Sequence, residues 1–382
     1  MKFSRSAQCH FGKWLTEQKL ASVREFLMEM HRVVEWAIAH HETDIIQGMK
    51  KPQLLLADNL NRCESWLTAR AKKNAFAEAH ALVLGTKRSA DALSKPYSRP
   101  THDASRIMLS ETNVEINLTP ELNEFDLLLD LKCYDSRGRA VKTAIPLKKH
   151  KHFLKWFRKG KLAKSVLLTE KYVQFTFEIE ESKKESGSMI GIDPGAKHLL
   201  TDDDGNHYGS NIWQLLTKLK RKKRLSKAWH RCREEIIEYI DRTCKQVPFH
   251  LLKLLVLEDN RKIKSKSKLK GRLSKNMRSV LTGWSIGRIN DRIERLCEEH
   301  GVSLRRVSAF FNSTTCPDCG HSEKANRASQ EEFICRSCGC YHNADKVGAM
   351  NSLARFALGP YGAEFKQAFS QKHQFYHAVS HA

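Results

Sequence analysis

Three carboxylates stand where regular backbone would hold them. Asp193 ends the apolar run Met189-Ile190-Gly191-Ile192, and Pro194-Gly195 turns the chain at once. The run reads as a buried strand and the Pro-Gly pair as its stop. Glu258 ends a second run, Leu251 to Leu257, and Asp259 follows it. Asp345 lies in His342-Asn343-Ala344-Asp345 and opens a segment with Val347, Met350, Leu353 and Ala354 on one helical side. Two acidic strand ends and one acidic helix start suit a phosphodiester site. Such carboxylates hold two Mg²⁺ about 4 Å apart, one activating water and the other stabilising the leaving oxygen. Taken alone, Asp193 reads first as the cap of an ordinary hairpin turn, and the two later carboxylates shift that reading. The hairpin's return strand would be Lys197 to Gly205, with a turn at Asp202-Asp203-Asp204-Gly205-Asn206.

The cysteines give the most specific local signal. Cys316-Pro317-Asp318-Cys319 and Cys335-Arg336-Ser337-Cys338 form C-x2-C-x15-C-x2-C, with Gly320 and Gly339 after the pairs. Two tight knuckles supply four thiolates, a closed tetrahedral Zn²⁺ site of structural type. Cys340 is expected to be a bystander. The other cysteines of the eleven are scattered, which in a reducing compartment favours metal over disulfides.

Composition bounds the partners. Lys and Arg total 66 against 43 Asp and Glu, a net charge of +23, and 41% of the 382 residues are hydrophobic. That affords a real core and two or three domains. The positive excess points to a polyanion, nucleic acid first and an anionic membrane surface second. No apolar run approaches the ~18 residues of a membrane span, and Met1-Lys2-Phe3-Ser4 leads into mixed polar sequence with no signal-peptide core. The expected setting is intracellular.

From the N-terminus onward, residues 1–11 read as a first strand. Leu20, Val23, Leu27, Met30, Val34 and Ile38 mark an amphipathic helix over Thr16 to Ala39, and a second helical region runs from Leu54 to Leu84. Pro96 and Pro100 place a connection at 95–105. After Arg106 the period changes to two, with Leu127, Leu129, Leu131 and Cys133, a turn at Asp135-Ser136-Arg137-Gly138, and then Val173, Phe175, Phe177 and Ile179. Short strands with turns predict a small antiparallel barrel or sheet. Within it, Lys148-Lys149-His150-Lys151-His152 precedes Phe153, Trp156 and Phe157. These residues form either a base-stacking surface or a solvated helix with a buried aromatic stripe. Polar Glu181 to Gly187 marks a domain boundary. One long helix is predicted through Ile212, Leu216, Leu219, Trp229, Cys232, Ile236 and Tyr239, with Lys220-Arg221-Lys222-Lys223-Arg224 on its polar face. Arg261 to Arg278 holds nine Lys or Arg and no acid, the composition of a loop that orders on phosphate or stays solvated.

Together these residues resemble TnpB, the transposon-encoded RNA-guided nuclease, and its relatives among the type V CRISPR effectors and the Fanzor proteins. Gly191-Ile192-Asp193-Pro194-Gly195 looks like the first RuvC motif, Leu257-Glu258-Asp259-Asn260 like the second and the Asp345 helix like the third. The ribbon lies between the second and third, and Asn312-Ser313-Thr314-Thr315 resembles the family's approach to it. Asn260 stands where leucine is frequent, and Val347 and Gly348 replace Asn and Ala in D-x-N-A-A-x-N, whereas Ala349 and Asn351 fit.

The resemblance implies an α/β RNase H-like (RuvC) nuclease domain with an inserted zinc ribbon, and an N-terminal β-barrel (wedge) with an inserted helical recognition lobe. The implied segments are 1–15 for the first wedge strand, 16–105 for the helical lobe and 106–187 for the barrel and linker. RuvC parts at 188–312 and 342–358 would flank the ribbon at 313–341, with a tail at 359–382. It implies an RNA-guided DNA endonuclease, transposon-associated or derived from one, with Asp193, Glu258 and Asp345 as the triad on two Mg²⁺ and Cys316, Cys319, Cys335 and Cys338 on one structural Zn²⁺. The partners would be a guide RNA and double-stranded target DNA bearing a short flanking motif. The setting would be the cytoplasm at the nucleoid in a prokaryote, or the nucleus in a eukaryote. The rival readings are a guided repressor without cleavage, an unguided RuvC-type nuclease and, less favoured, a DDE transposase.

Overall fold

A computed structural model of the chain describes residues 1–48, 62–118, 125–134, 140–195, 197–259, 286–309, 311–329 and 331–358. The basic segment 261–278, the turn at 135–138 and the tail 359–382 lie outside the described residues. The chain divides into two compact units, one spanning Lys2–Glu180 and one beginning at Glu181.

The first unit is antiparallel sheet plus helix. Its strands are β1 (Lys2–His10), β2 (Arg106–Leu109), β3 (Val114–Asn117), β4 (Leu127–Tyr134), β5 (Ala140–Leu147), β6 (Lys161–Thr169) and β7 (Tyr172–Glu180). Among the described residues they form two sheets, β1-β7-β6-β2 and β3-β4-β5. The first strand closes against the last, from Lys2 opposite Glu180 to His10 opposite Tyr172. Val173, Phe175, Phe177 and Ile179 turn inward, as their period of two requires.

Between β1 and β2 the chain forms α1 (Glu17–Ile46) and α2 (Ala69–Ala92). Thr16 and Thr68 cap them, each side-chain oxygen accepting from the amide three residues on. The second described helix begins at Ala69, after the non-helical residues 62–68, and runs past Leu84 to Ala92. Residues 49–61, which include the expected start at Leu54, lie outside the described set. Helix α3 (Lys151–Phe157) buries Phe153 and Trp156, with Phe153 edge-on to Phe175 and Phe177. Those two rings belong to the core and are not a stacking platform, so of the three aromatics only Phe157 stays exposed.

The second unit is a mixed sheet covered on both faces. Its strands are β8 (Ser188–Asp193), β9 (Leu200–Asp202), β10 (His207–Tyr208), β11 (Leu252–Glu258) and β12 (Ser303–Val307), in the order β10-β9-β8-β11-β12. Strands β8 and β12 run parallel to β11, and β9 runs antiparallel to β8. The return strand is three residues long, much shorter than the expected span. Asp202 accepts from the Asn206 amide and from the Tyr208 hydroxyl, and these bonds pull the chain into its turn early.

Helices α4 (Ile212–Lys220), α5 (Lys227–Cys244) and α6 (Ile286–Glu299) pack on Ile190, Ile192, Leu255 and Leu257. The single long helix expected over this region is thus two. Leu225 adopts φ 65°, and the Ser226 side chain accepts from Trp229 N at 3.1 Å, so a new cap interrupts the helical pattern. The other face of β11, Leu254 and Val256, packs on Leu353 of α7 (Ala344–Leu358). Burial on both faces explains the unbroken apolar run of β11. Among the described residues no helix is long and apolar enough to cross a membrane.

Strand β8 and helix α7 approach backbone to backbone. A Cβ on Gly191 would lie 2.2 Å from the Ala349 carbonyl oxygen. Gly191→Ala must therefore push α7 off the sheet. We expect a loss of about 1–3 kcal/mol, the usual cost of overpacking, seen as a lowered melting temperature.

Candidate metal centres

The parallel register of β8 and β11 places two of the carboxylates side by side. Ile192 pairs with Leu257, so Asp193 and Glu258 end adjacent strands. Helix α7 brings the third. The Asn343 side chain accepts from the amides of Asp345 (3.0 Å) and Lys346 (3.2 Å), fixing Asp345 in the first turn. Close packing then seats Asp193 against that turn, because a Cβ on Gly348 would be 2.6 Å from Asp193 Oδ2. A Cβ on Gly195 would be 3.6 Å from Asp345 Oδ2. All three residues are half-buried.

Burial, and then the charges of Glu258 and Asp345, hold the Asp193 carboxyl well above the usual carboxylate range. Arg327 pulls it the other way. Asp193 thus feels two further carboxylates, and oxygen donors of this kind are the type that hard divalent cations take.

Two further groups flank this cluster. The rings of His198 and His207 stack with centroids 4.0 Å apart, and their Nδ1 atoms bond the Ser210 (3.2 Å) and Thr201 (3.0 Å) hydroxyls. Burial and the neighbouring His207 lower the His198 pKa, while the charge of Asp345 opposes that shift.

The thiol cluster is built by two knuckles and a short hairpin, β13 (Glu332–Ile334) with β14 (Tyr341–Asn343). Gly320 and Gly339 both adopt φ 73°, and each donates its amide to the carbonyl of the first cysteine of its pair. Buried Asn351 of α7 donates to the carbonyls of Asn312 (2.7 Å) and Thr315 (2.8 Å), locking the turn that leads into the first knuckle onto the helix that carries Asp345.

The Sγ atoms of Cys316, Cys335, Cys338 and Cys340 lie within 4.8 Å of one another. Tetrahedral Zn–S bonds of ~2.3 Å place sulfurs ~3.8 Å apart, so this packing fits zinc. Cys319 is at the cluster too, its Sγ 3.5 Å from that of Cys335. Cys340, expected to stand apart, is 3.2 Å from Cys316.

Comparison with known proteins adds independent findings. The family model described as "Cas12f1-like, TNB domain" matches residues 287–352, which include the thiol cluster and Asp345. The InsQ protein of Escherichia coli (strain K12), whose name proposes an RNA-guided DNA endonuclease, is 27% identical over 213 residues, 48% of this chain and 52% of InsQ. The chain thus spans about half the length of this curated relative. The CRISPR-associated endodeoxyribonuclease Cas12f1 of Sulfoacidibacillus thermotolerans is 32% identical over 71 residues, 19% of this chain and 17% of that protein.

The chain is similar to InsQ and to Cas12f1 over part of its length.

Two solved structures share its fold. The Cas12f1–sgRNA–target DNA complex superposes with a TM-score of 0.56 at 14% identity, covering 88% of this chain and 82% of that one. The mini-RNA-guided endonuclease CRISPR-Cas_phi3 gives 0.55 at 10% identity, covering 93% and 92%. Against the TnpB-like pattern, three groups escaped sequence reasoning. Arg327 and His198 carry no spacing signal and reach the carboxylates only through the fold. Cys340 had a signal, since Cys338-Gly339-Cys340 repeats a thiol just past the knuckle glycine.

Proposed function

We propose that the chain is an RNA-guided DNA endonuclease that hydrolyses target DNA by a two-metal mechanism in an RNase H-like (RuvC) domain, transposon-associated or derived from one. The observation that carries this reading is the convergence of Asp193, Glu258 and Asp345, from two strand ends and a helix start, with the charges of Glu258, Asp345 and Arg327 all acting on Asp193. The mixed five-stranded sheet supports the domain assignment, and a net charge of +23 supports a guide RNA and target DNA as partners.

Asp193, Glu258 and Asp345 would be the Mg²⁺ ligands. Two such ions, when bound, supply an activated water and a stabilised leaving oxygen. The chain's own part is to hold three oxygen donors rigidly at the sheet edge and helix start. Arg327 lies where its charge complements a phosphate drawn to the cluster. Sequence would be read by guide–target pairing and a short flanking motif. The test is to purify the protein with RNA from its own locus, sequence that RNA, and ask whether a plasmid is cut only where the guide matches.

The ribbon cysteines would hold one structural zinc. Cys316→Ser or Cys335→Ser is expected to remove it and lower stability by several kcal/mol, because metal binding there is folding energy. Elemental analysis and thermal melts check this, and zinc-free wild-type protein would refute the assignment.

A further inference from the structure

We propose that Cys340 is a zinc ligand that exchanges with Cys319, so that five thiols share one ion. This rests on the reading that the ribbon holds zinc. The usual C-x2-C pairs would leave Cys340 idle, yet the four sulfurs that lie within 4.8 Å of one another are those of Cys316, Cys335, Cys338 and Cys340. The separation from Cys316 to Cys338 is 3.7 Å, the ~3.8 Å edge of a zinc tetrathiolate, and Cys340 lies closer still to Cys316, at 3.2 Å. Cys319 sits at the same cluster, 3.5 Å from Cys335. Zinc in a closed structural site takes four ligands, so one of the five thiols is surplus.

Local chain geometry explains why Cys340 arrives there. The knuckles are near repeats, Cys316-x-x-Cys319-Gly320-His321 and Cys335-x-x-Cys338-Gly339-Cys340. In each, the residue after glycine folds back and its carbonyl accepts from the first cysteine's amide, at 2.8 Å from His321 and 3.0 Å from Cys340. In the first repeat, His321 Nδ1 is 3.3 Å from the buried Asn326 amide nitrogen. In the second, the equivalent side chain enters the sulfur cluster.

A second setting for Cys340 is built beside the first. Asp318 Oδ2 and His342 Nε2 are 2.8 Å apart, and both lie within 4.8 Å of Cys340 Sγ. The thiol therefore stands between the sulfur cluster and a polar pair that receives it when Cys319 is bound. In the exchange one Zn–S bond forms as the other breaks. One proton passes from the entering thiol to the leaving thiolate, so the charge of the site is unchanged.

The experiment uses full-length protein and the variants Cys319→Ser, Cys340→Ser, Cys319→Ser/Cys340→Ser and Cys316→Ser. Zinc per chain, affinity by chelator competition and the thiolate-to-metal absorption of the cobalt-substituted protein are read for each. Both single variants should keep one zinc and four-thiolate cobalt absorption, with affinity within about tenfold of wild type. The double variant should bind about 100-fold more weakly than either, roughly the share of one ligand in a zinc–thiolate site.

If Cys319→Ser alone falls as far as the double while Cys340→Ser matches wild type, Cys340 is a bystander and the proposal fails. If Cys340→Ser alone falls that far and Cys319→Ser matches wild type, the set is fixed and exchange fails. The single variants decide the matter even where the double does not fold. Wild-type protein without zinc would instead overturn the zinc reading beneath it.

Discussion

Asp193→Ala, Glu258→Ala and Asp345→Ala are each expected to reduce Mg²⁺-dependent cleavage by about a thousandfold or more, since each removes several kcal/mol of metal-borne charge stabilisation. RNA and target binding should stay within a few-fold of wild type, because each side chain sits at an element's end and leaves the core intact. The electrostatics add a signature that a purely structural role would not produce. Burial and the charges of Glu258 and Asp345 raise the Asp193 pKa, so in metal-free protein the ionised carboxylate opposes folding at pH above its unfolded value. That penalty fades as pH falls and the group takes up a proton. Removing the charge with Asp193→Asn should therefore leave melting in EDTA at neutral pH unchanged or higher. A variant that cuts at near wild-type rate would take that residue out of the triad. A large fall in metal-free stability would mark it as a fold element.

The second expected result is that RNA-free protein leaves duplex DNA uncut, whereas protein carrying its own RNA cuts at matching sites. The physical reason begins with charge. Sixty-six basic residues against 43 acidic ones repel one another until phosphate neutralises them, and counterion release makes a bound polyanion strongly favourable. The carboxylates repel phosphate until metal is bound, so the site by itself gives no sequence preference. Guide–target pairing supplies that preference and exposes single-stranded DNA that can reach the cluster. Plasmid cleavage with Mg²⁺, with and without the copurified RNA, decides it. Equal cutting in both samples, or cutting confined to branched junctions, would favour an unguided nuclease. Guided binding with no cutting would favour a repressor.

Much of the local architecture is legible in the amino-acid sequence by itself. The apolar runs ending at Asp193 and Glu258, the helix opening at Asp345, the period-two strands of the first unit and both cysteine knuckles depend on neighbours a few residues apart. Backbone hydrogen bonding and side-chain alternation act over that range, so short stretches determine them. Local pattern fails where a local bond overrides it. The Ser226 cap splits one apparent helix into α4 and α5. The bonds to Asp202 cut the return strand to three residues.

Tertiary structure decided everything that needed distant segments to meet. Asp193 and Glu258 are neighbours because β8 and β11 pair in parallel register, and the sequence shows both strands but not the register. Asp345 joins them because Gly191 and Gly348 have no Cβ, which lets α7 close onto β8. The same packing sets Arg327 and His198 near the carboxylates, and the fold-back after Gly339 puts Cys340 among the ribbon sulfurs. It also sent Phe153 and Trp156 inward, leaving them no surface for bases. Residue type and spacing can nominate ligands, since chemistry constrains which atoms bind a metal. Which of them share one site depends on register and close approach, and these are settled by the packing of whole elements.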